Sequence, residues 1–247
     1  MLRWLSFGAS EIGPAHIRTK KPNQDSWASF HHANCDVVVV SDGIGSKEYS
    51  EFGSSMACRA VDQAVCSTML SQGELALDRP ANSTAFFDLV HEAWVNGISP
   101  LSPNDASATC LFVVRENDEN IWLGMLGDGL IAAVLNDGSV KTLHDSKNDS
   151  FSNITDSLAE QTPISSWKTM LIPVKDCRAV VLCTDGISDD LIDPEGFVRD
   201  YVEAFCDLPT VVATSSSADM LVDWPTPKHS DDKTIACLFR REYPDDE

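Results

Sequence analysis

Four aspartates in this chain each stand at the edge of an apolar run. Asp42 follows Val37-Val38-Val39-Val40-Ser41, and Asp128 follows Trp122-Leu123-Gly124-Met125-Leu126-Gly127. Asp185 follows Val180-Val181-Leu182-Cys183-Thr184, and Asp231 precedes Ile235-Ala236-Cys237-Leu238. Such short, β-branched runs fit strands buried on both faces. Three of the aspartates are followed by glycine (Gly43, Gly129, Gly186), which permits a tight turn or a close backbone approach. Taken singly, each is an ordinary strand-to-turn transition. Brought together, four carboxylates would repel one another unless compensated, and a divalent cation supplies that compensation. Oxygen ligands without a histidine or cysteine select Mg²⁺ or Mn²⁺ over zinc, and two such ions roughly 3.5–4 Å apart can activate water for in-line attack on a phosphoryl group.

The elements that must position these residues can be read from the pattern. Arg3 to Glu11, Ser26 to Phe30 and Cys35 to Ser41 read as strands, the last two joined by a turn at His31-His32-Ala33-Asn34. Gly13-Pro14 and the basic stretch Arg18 to Pro22 read as a loop. Glu48 to Leu70 carries Phe52, Met56, Ala60, Ala64 and Val65 at helical spacing, and Ser83 to Val95 carries Phe86, Phe87, Val90 and Trp94 likewise. Ala108 to Val114, Ile121 to Leu126, Leu130 to Leu135 and Val140 to Leu143 predict an antiparallel meander. His144 to Pro163 is polar and aperiodic, a loop or flap. Ser166 to Val174 and Arg178 to Cys183 resume strand character, Pro194 to Phe205 and Val211 to Val222 predict helices, and Lys233 to Arg240 a last strand. Blocks of strands separated by paired helices place the chain in the α+β class, helices packed on largely antiparallel sheets, as a single domain over residues 1–247 with a frayed tail from about 241.

Composition narrows the function classes. A formal net charge of −20 leaves no clustered Lys and Arg for a nucleic-acid backbone, so none is expected as partner. The eight cysteines are scattered through apolar stretches without a CxxC pair, and so read as buried small hydrophobes of a reducing compartment. No segment reaches the roughly twenty apolar residues of a membrane span, so a cytoplasmic monomer is expected. The six histidines show no ligand spacing and receive no catalytic role.

The ordered set Asn23-Gln24-Asp25, Ser41-Asp42-Gly43-Ile44-Gly45, Ala108-Thr109, Gly127-Asp128-Gly129, Thr184-Asp185-Gly186-Ile187-Ser188-Asp189 and Asp231-Asp232-Lys233-Thr234 resembles the metal-dependent protein phosphatases of type 2C, in particular compact bacterial members. The resemblance implies a four-layer αββα sandwich, two antiparallel sheets flanked by helix pairs. It implies hydrolysis of phosphoserine or phosphothreonine in a phosphoprotein, opposed to a Ser/Thr kinase, by direct attack of water bridging two Mg²⁺ or Mn²⁺ ions. At matching positions Asp42 would bridge the ions with the Gly43 carbonyl on the second, and Asp185 and Asp231 would complete the first. Asp25 would contact the second metal through water. Asp128 and Asp189, with Asp185, match the positions of a third metal, or act as turn-capping carboxylates. Among the chain's departures from the family pattern, Gln24 replaces an acid, Lys20 replaces the phosphate-binding arginine with Arg18 as the alternative, and Ile44 replaces a histidine. Those departures motivate a second reading, a degenerate module that binds a phosphoprotein without turning it over.

Overall fold

The computed structural model describes residues 2–144, 155–225 and 230–243. The segment 145–154, which holds half of the expected flap including Asn153-Ile154, lies outside the described residues, as do 226–229 and 244–247. Strands β1 (Leu2–Glu11), β10 (Lys233–Glu242), β9 (Cys177–Cys183), β6 (Leu130–Leu135) and β7 (Val140–His144) form one sheet in that order. Strands β2 (Asp25–His31), β3 (Cys35–Asp42), β4 (Cys110–Glu116), β5 (Asn120–Leu126) and β8 (Lys168–Pro173) form the other. Every neighbouring pair is antiparallel.

Alternation along β3 shows how the layers arise. Val38 and Val40 point between the sheets, where they meet Leu111, Ile131, Leu182 and Leu238, while Val37 and Val39 point outward to a helix pair. That pair is α2 (Ser50–Gln72) and α3 (Pro80–Ile98), whose Ala57, Val61, Phe86 and Trp94 complete one outer core. On the other side α5 (Pro194–Phe205) and α6 (Thr210–Val222) cover Phe7, Val181 and Phe239 with Val198, Tyr201, Val202 and Leu221. The result is the expected αββα sandwich with three apolar interlayers. Each fully buried aliphatic or aromatic side chain contributes roughly 1.5–3 kcal/mol through burial.

The differences from expectation are local. The meander divides: β4 pairs with β5 and β6 with β7, but β5 and β6 lie in different sheets, so the chain crosses between sheets at Gly127-Asp128-Gly129. Gly127 and Gly129 hold φ of 98° and 111°, a left-handed region that residues with a Cβ rarely enter. The stretch expected as loop after Gly13 contains a short helix α1 (Pro14–Thr19), begun by a proline at its first turn, and Asp185–Ser188 forms a one-turn helix α4. Phe52, expected on the inward stripe of α2, is 57% exposed. Arg241 and Glu242 pair with Arg3 and Leu2, so the ordered strand continues past the point where a frayed tail is expected.

Leu238, fully buried between the sheets, and Leu70, 89% exposed on α2, provide a test of where stability resides. Leu238→Ala should cost about 2–5 kcal/mol in urea unfolding, and Leu70→Ala no more than about 0.5 kcal/mol. Equal effects would contradict the layer assignment.

Candidate metal centre

The register of β2 on β3 places Asp25 opposite Asp42, at the same end of the second sheet. Their carboxyl groups are close enough that each shifts the other's proton affinity. Asp42 is fixed from both sides by β4's approach: its N–H donates to Thr109 Oγ1 at 2.8 Å, and its carbonyl accepts the Thr109 N–H at 2.8 Å. Gly43 continues the turn, with its N–H on the Gln24 carbonyl at 3.0 Å. Opposite, Thr184 Oγ1 donates to Asp25 Oδ2 at 2.9 Å and accepts the Thr234 N–H at 3.1 Å. One hydroxyl thus ties the first strand of one sheet to two strands of the other.

Asp128, delivered by the sheet crossing, and Asp185, at the start of α4, complete a cluster. Candidate ligand oxygens of Asp42, Asp128 and Asp185 all lie within 4.8 Å of one another. Asp128 therefore stands with the main carboxylates and not in a separate peripheral position. Thr155 Oγ1 donates to Asp128 Oδ2 at 3.1 Å. Asp189 closes α4, its N–H on the Asp185 carbonyl at 3.0 Å. Asp189, Asp128, His144 and Glu195 line an adjoining cavity of about 300 Å³.

Asp231 and Asp232 divide their work differently from expectation. Asp231 is exposed, and its Oδ1 is turned back to accept the Asp232 N–H at 2.9 Å. Its charge still raises Asp42 and Asp185, so it stands near them, but its ligand atom groups with His16 and Asp232. Asp232 is 2% exposed and accepts three bonds: from the Gly13 N–H at 2.7 Å, His16 Nδ1 at 2.8 Å and the Gln24 N–H at 2.6 Å. It anchors α1 and the residue before Asp25 to the start of β10. The close approach of α4 to this segment requires Gly186, where a Cβ would lie 1.9 Å from the Asp232 carbonyl oxygen.

Sequence reasoning missed His16 and the anchoring role of Asp232, because the partners are more than two hundred positions apart. Among the basic residues, Arg18 and Lys20 are exposed and neither makes a side-chain hydrogen bond or ion pair among the described residues. Lys21, not singled out by its sequence context, donates from Nζ to the Gly45 carbonyl at 2.9 Å, in the loop that follows Asp42. Gln24 is 3% exposed, and its Oε1 is buried without a hydrogen-bond partner on the side of Gly45.

The electrostatics are those of a cation site. Burial, more than any neighbour, pushes Asp25 and Asp185 from 3.8 to about 7 and Asp42 well above the carboxylate range. Asp185 is raised further by Asp128 and Asp25, and Asp42 by Asp25 and Asp185. None of Asp25, Asp42 and Asp185 forms an ion pair with Lys or Arg among the described residues. An all-oxygen donor set with buried, uncompensated charge fits a hard divalent cation.

In the metal-free protein these raised acids hold protons that the unfolded chain releases between pH 3.8 and about 7. Their contribution to stability is present at low pH and is lost as pH rises through the folded value. In EDTA the Tm should therefore be higher at pH 5 than at pH 8, by at least roughly 4 °C, since each kcal/mol moves a chain of this size by about 2–4 °C. A Tm that rises across that window would contradict the raised values.

The fold agrees with known proteins. A family model described as protein phosphatase 2C matches residues 12–224. Comparison with curated protein sequences finds no match. Among solved structures, the chain is similar to the catalytic domain of the serine/threonine protein phosphatase PstP in complex with 2 manganese ions, at 16% identity and a TM-score of 0.62, over 98% of this chain and 100% of that one. RsbX in complex with magnesium is 14% identical with a TM-score of 0.59, over 97% and 96% of the two chains. The serine/threonine phosphatase Stp1 from Staphylococcus aureus is 12% identical with a TM-score of 0.64, over 97% and 95%. At these identities the structures speak for the fold, while the family model, spanning most of the length, places the chain itself: it belongs to the protein phosphatase 2C family.

Proposed function

We propose that the protein is an Mg²⁺- or Mn²⁺-dependent hydrolase of phosphoserine and phosphothreonine in proteins, acting as a single cytoplasmic catalytic unit opposed to a Ser/Thr kinase. The observation that carries this reading is the convergence of Asp42, Asp128 and Asp185, with Asp25 opposite Asp42 in the strand pair, where no cationic side chain offsets Asp25, Asp42 or Asp185 among the described residues. Asp42, the Gly43 carbonyl, Asp185 and Asp231 are the proposed ligands of two ions, Asp231 after its carboxylate leaves the Asp232 N–H. Asp25, Asp128 and Asp189 complete the acidic ring. When bound, such a pair neutralises the carboxylates and supplies an acidic water for in-line attack on phosphorus.

The chain's own residues do the rest. Thr109 and Thr184 hold Asp42 and Asp25 in their orientations through the bonds described, and Asp232 holds the Gln24 backbone beside them. Phosphate recognition falls to the α1 end of the site, by Lys20, Arg18 or Lys21. Lys21 is already tied to the Gly45 loop, and a lysine acts there as a point charge, without arginine's bidentate fork. The free positions of Arg18 and Lys20 favour, as the second reading, a module that binds a phosphoprotein without turnover.

The two readings separate in one assay. Hydrolysis of a phosphothreonine peptide should require Mn²⁺, stop with EDTA, and fall more than about 100-fold in Asp42→Ala or Asp185→Ala, beyond the 10–100-fold typical of residues that only orient a ligand. Thr184→Val should fall within that lower range. Peptide binding without Mn²⁺-dependent release of phosphate would establish the non-catalytic module instead.

A further inference from the structure

At the other end of the β2–β3 hairpin, three side chains of different chemistry meet. His32 lies in the hairpin turn, which is closed by its N–H on the Cys35 carbonyl at 2.8 Å. Its Nε2 stands 2.7 Å from Asp62 Oδ1 and 3.9 Å from Cys66 Sγ, and the three candidate ligand atoms all lie within 4.8 Å of one another. Asp62 and Cys66 are one turn apart on α2 and so share a helix face. Asp25 pairs with Asp42 at one end of the hairpin and His31 with Asp36 at the other, so this cluster is about 20 Å along the strands from the carboxylate centre.

We propose that His32, Asp62 and Cys66 form a second metal site, for a borderline transition-metal cation such as Zn²⁺. One imidazole nitrogen, one carboxylate oxygen and one sulfur are the donors such an ion takes, whereas the sulfur disfavours Mg²⁺. A single proton on Nε2 can serve only one partner, yet both Asp62 and Cys66 converge on that nitrogen. A cation in the proton's place engages all three. Around tetrahedral zinc the N–O edge is roughly 3.3 Å and the N–S edge roughly 3.6 Å. The observed 2.7 Å and 3.9 Å straddle those values, so shifts of about half an ångström complete the geometry.

The site is also reachable. His32 and Asp62 side chains are 37% and 19% exposed, and Cys66 is half-buried where the other seven cysteines are buried. Three protein ligands leave a fourth position open to water or to an incoming ligand. A bound ion fastens the hairpin to α2, the helix that lies over both of its strands, and so stabilises the half of the sandwich that carries Asp25 and Asp42.

Co²⁺ is the probe for the test, because a thiolate–cobalt charge-transfer absorption reports a Cys-ligated ion and cannot come from the oxygen-only carboxylate centre. Added to the full chain, Co²⁺ should give a saturable band that Zn²⁺ displaces. The band should persist in Asp42→Ala and vanish in Cys66→Ser and His32→Ala. Asp62→Asn, which keeps the shape of the side chain, should weaken Zn²⁺ binding at least about 10-fold in competition with a chromophoric chelator. No band in the wild-type protein, or the same band in Cys66→Ser, would overturn the site.

Discussion

The structure is organised around a repulsion. Asp25 and Asp42 face each other across a strand pair, and Asp128 and Asp185 are brought against them from the other sheet and from the crossing between sheets. Burial raises the proton affinities of Asp25, Asp42 and Asp185, and the like charges gathered beside them raise them further, so the carboxylates cannot all remain ionised there. Either protons or divalent cations must share the site. The fold tolerates this strain because three apolar interlayers hold the two sheet edges together from outside the site. The polar bonds around the carboxylates then decide orientation more than stability, as with Thr184 reaching from one sheet to Asp25 on the other.

Neighbouring acids acquire different roles just before β10. Asp232 is buried, and its oxygens are taken up by Gly13, His16 and Gln24, which makes it a fastening for the first motif. Asp231, one residue earlier, is exposed, and its Oδ1 accepts the Asp232 N–H. The same device explains Gln24. Its backbone is bonded to Asp232 and Gly43, so its position is set by the main chain, while its side-chain oxygen is buried without a partner. A carboxylate there would add one more charge to an already crowded centre.

Much of the architecture was legible because it rests on local pattern. The buried runs Val37 to Val40 and Val180 to Cys183, and the inward stripes of α2 and α3, carry their own periodicity, and the aspartates at the strand edges follow from them. What was not legible depends on distant partners or on short elements. The Gly127-Asp128-Gly129 turn reads as a hairpin, and only the pairing of β6 with β9 sends the chain from the sheet of β5 to the sheet of β1. The one-turn helix at Asp185 and the short α1 have too few residues to show a period. His16 has no nearby acid in sequence to suggest its bond to Asp232, and the exposure of Phe52 depends on where α2 meets its neighbour. Lys21 likewise carries no local mark: nothing in the sequence around it distinguishes it from Lys20.

The central claim, that the carboxylate cluster is a cation centre, is tested most directly by anomalous scattering from a crystal of the protein soaked in Mn²⁺. The account predicts manganese peaks within ligand distance of the Asp42 and Asp185 carboxylates. Occupied Mn²⁺ sites elsewhere in the crystal, with no peak beside Asp42 and Asp185, would contradict it.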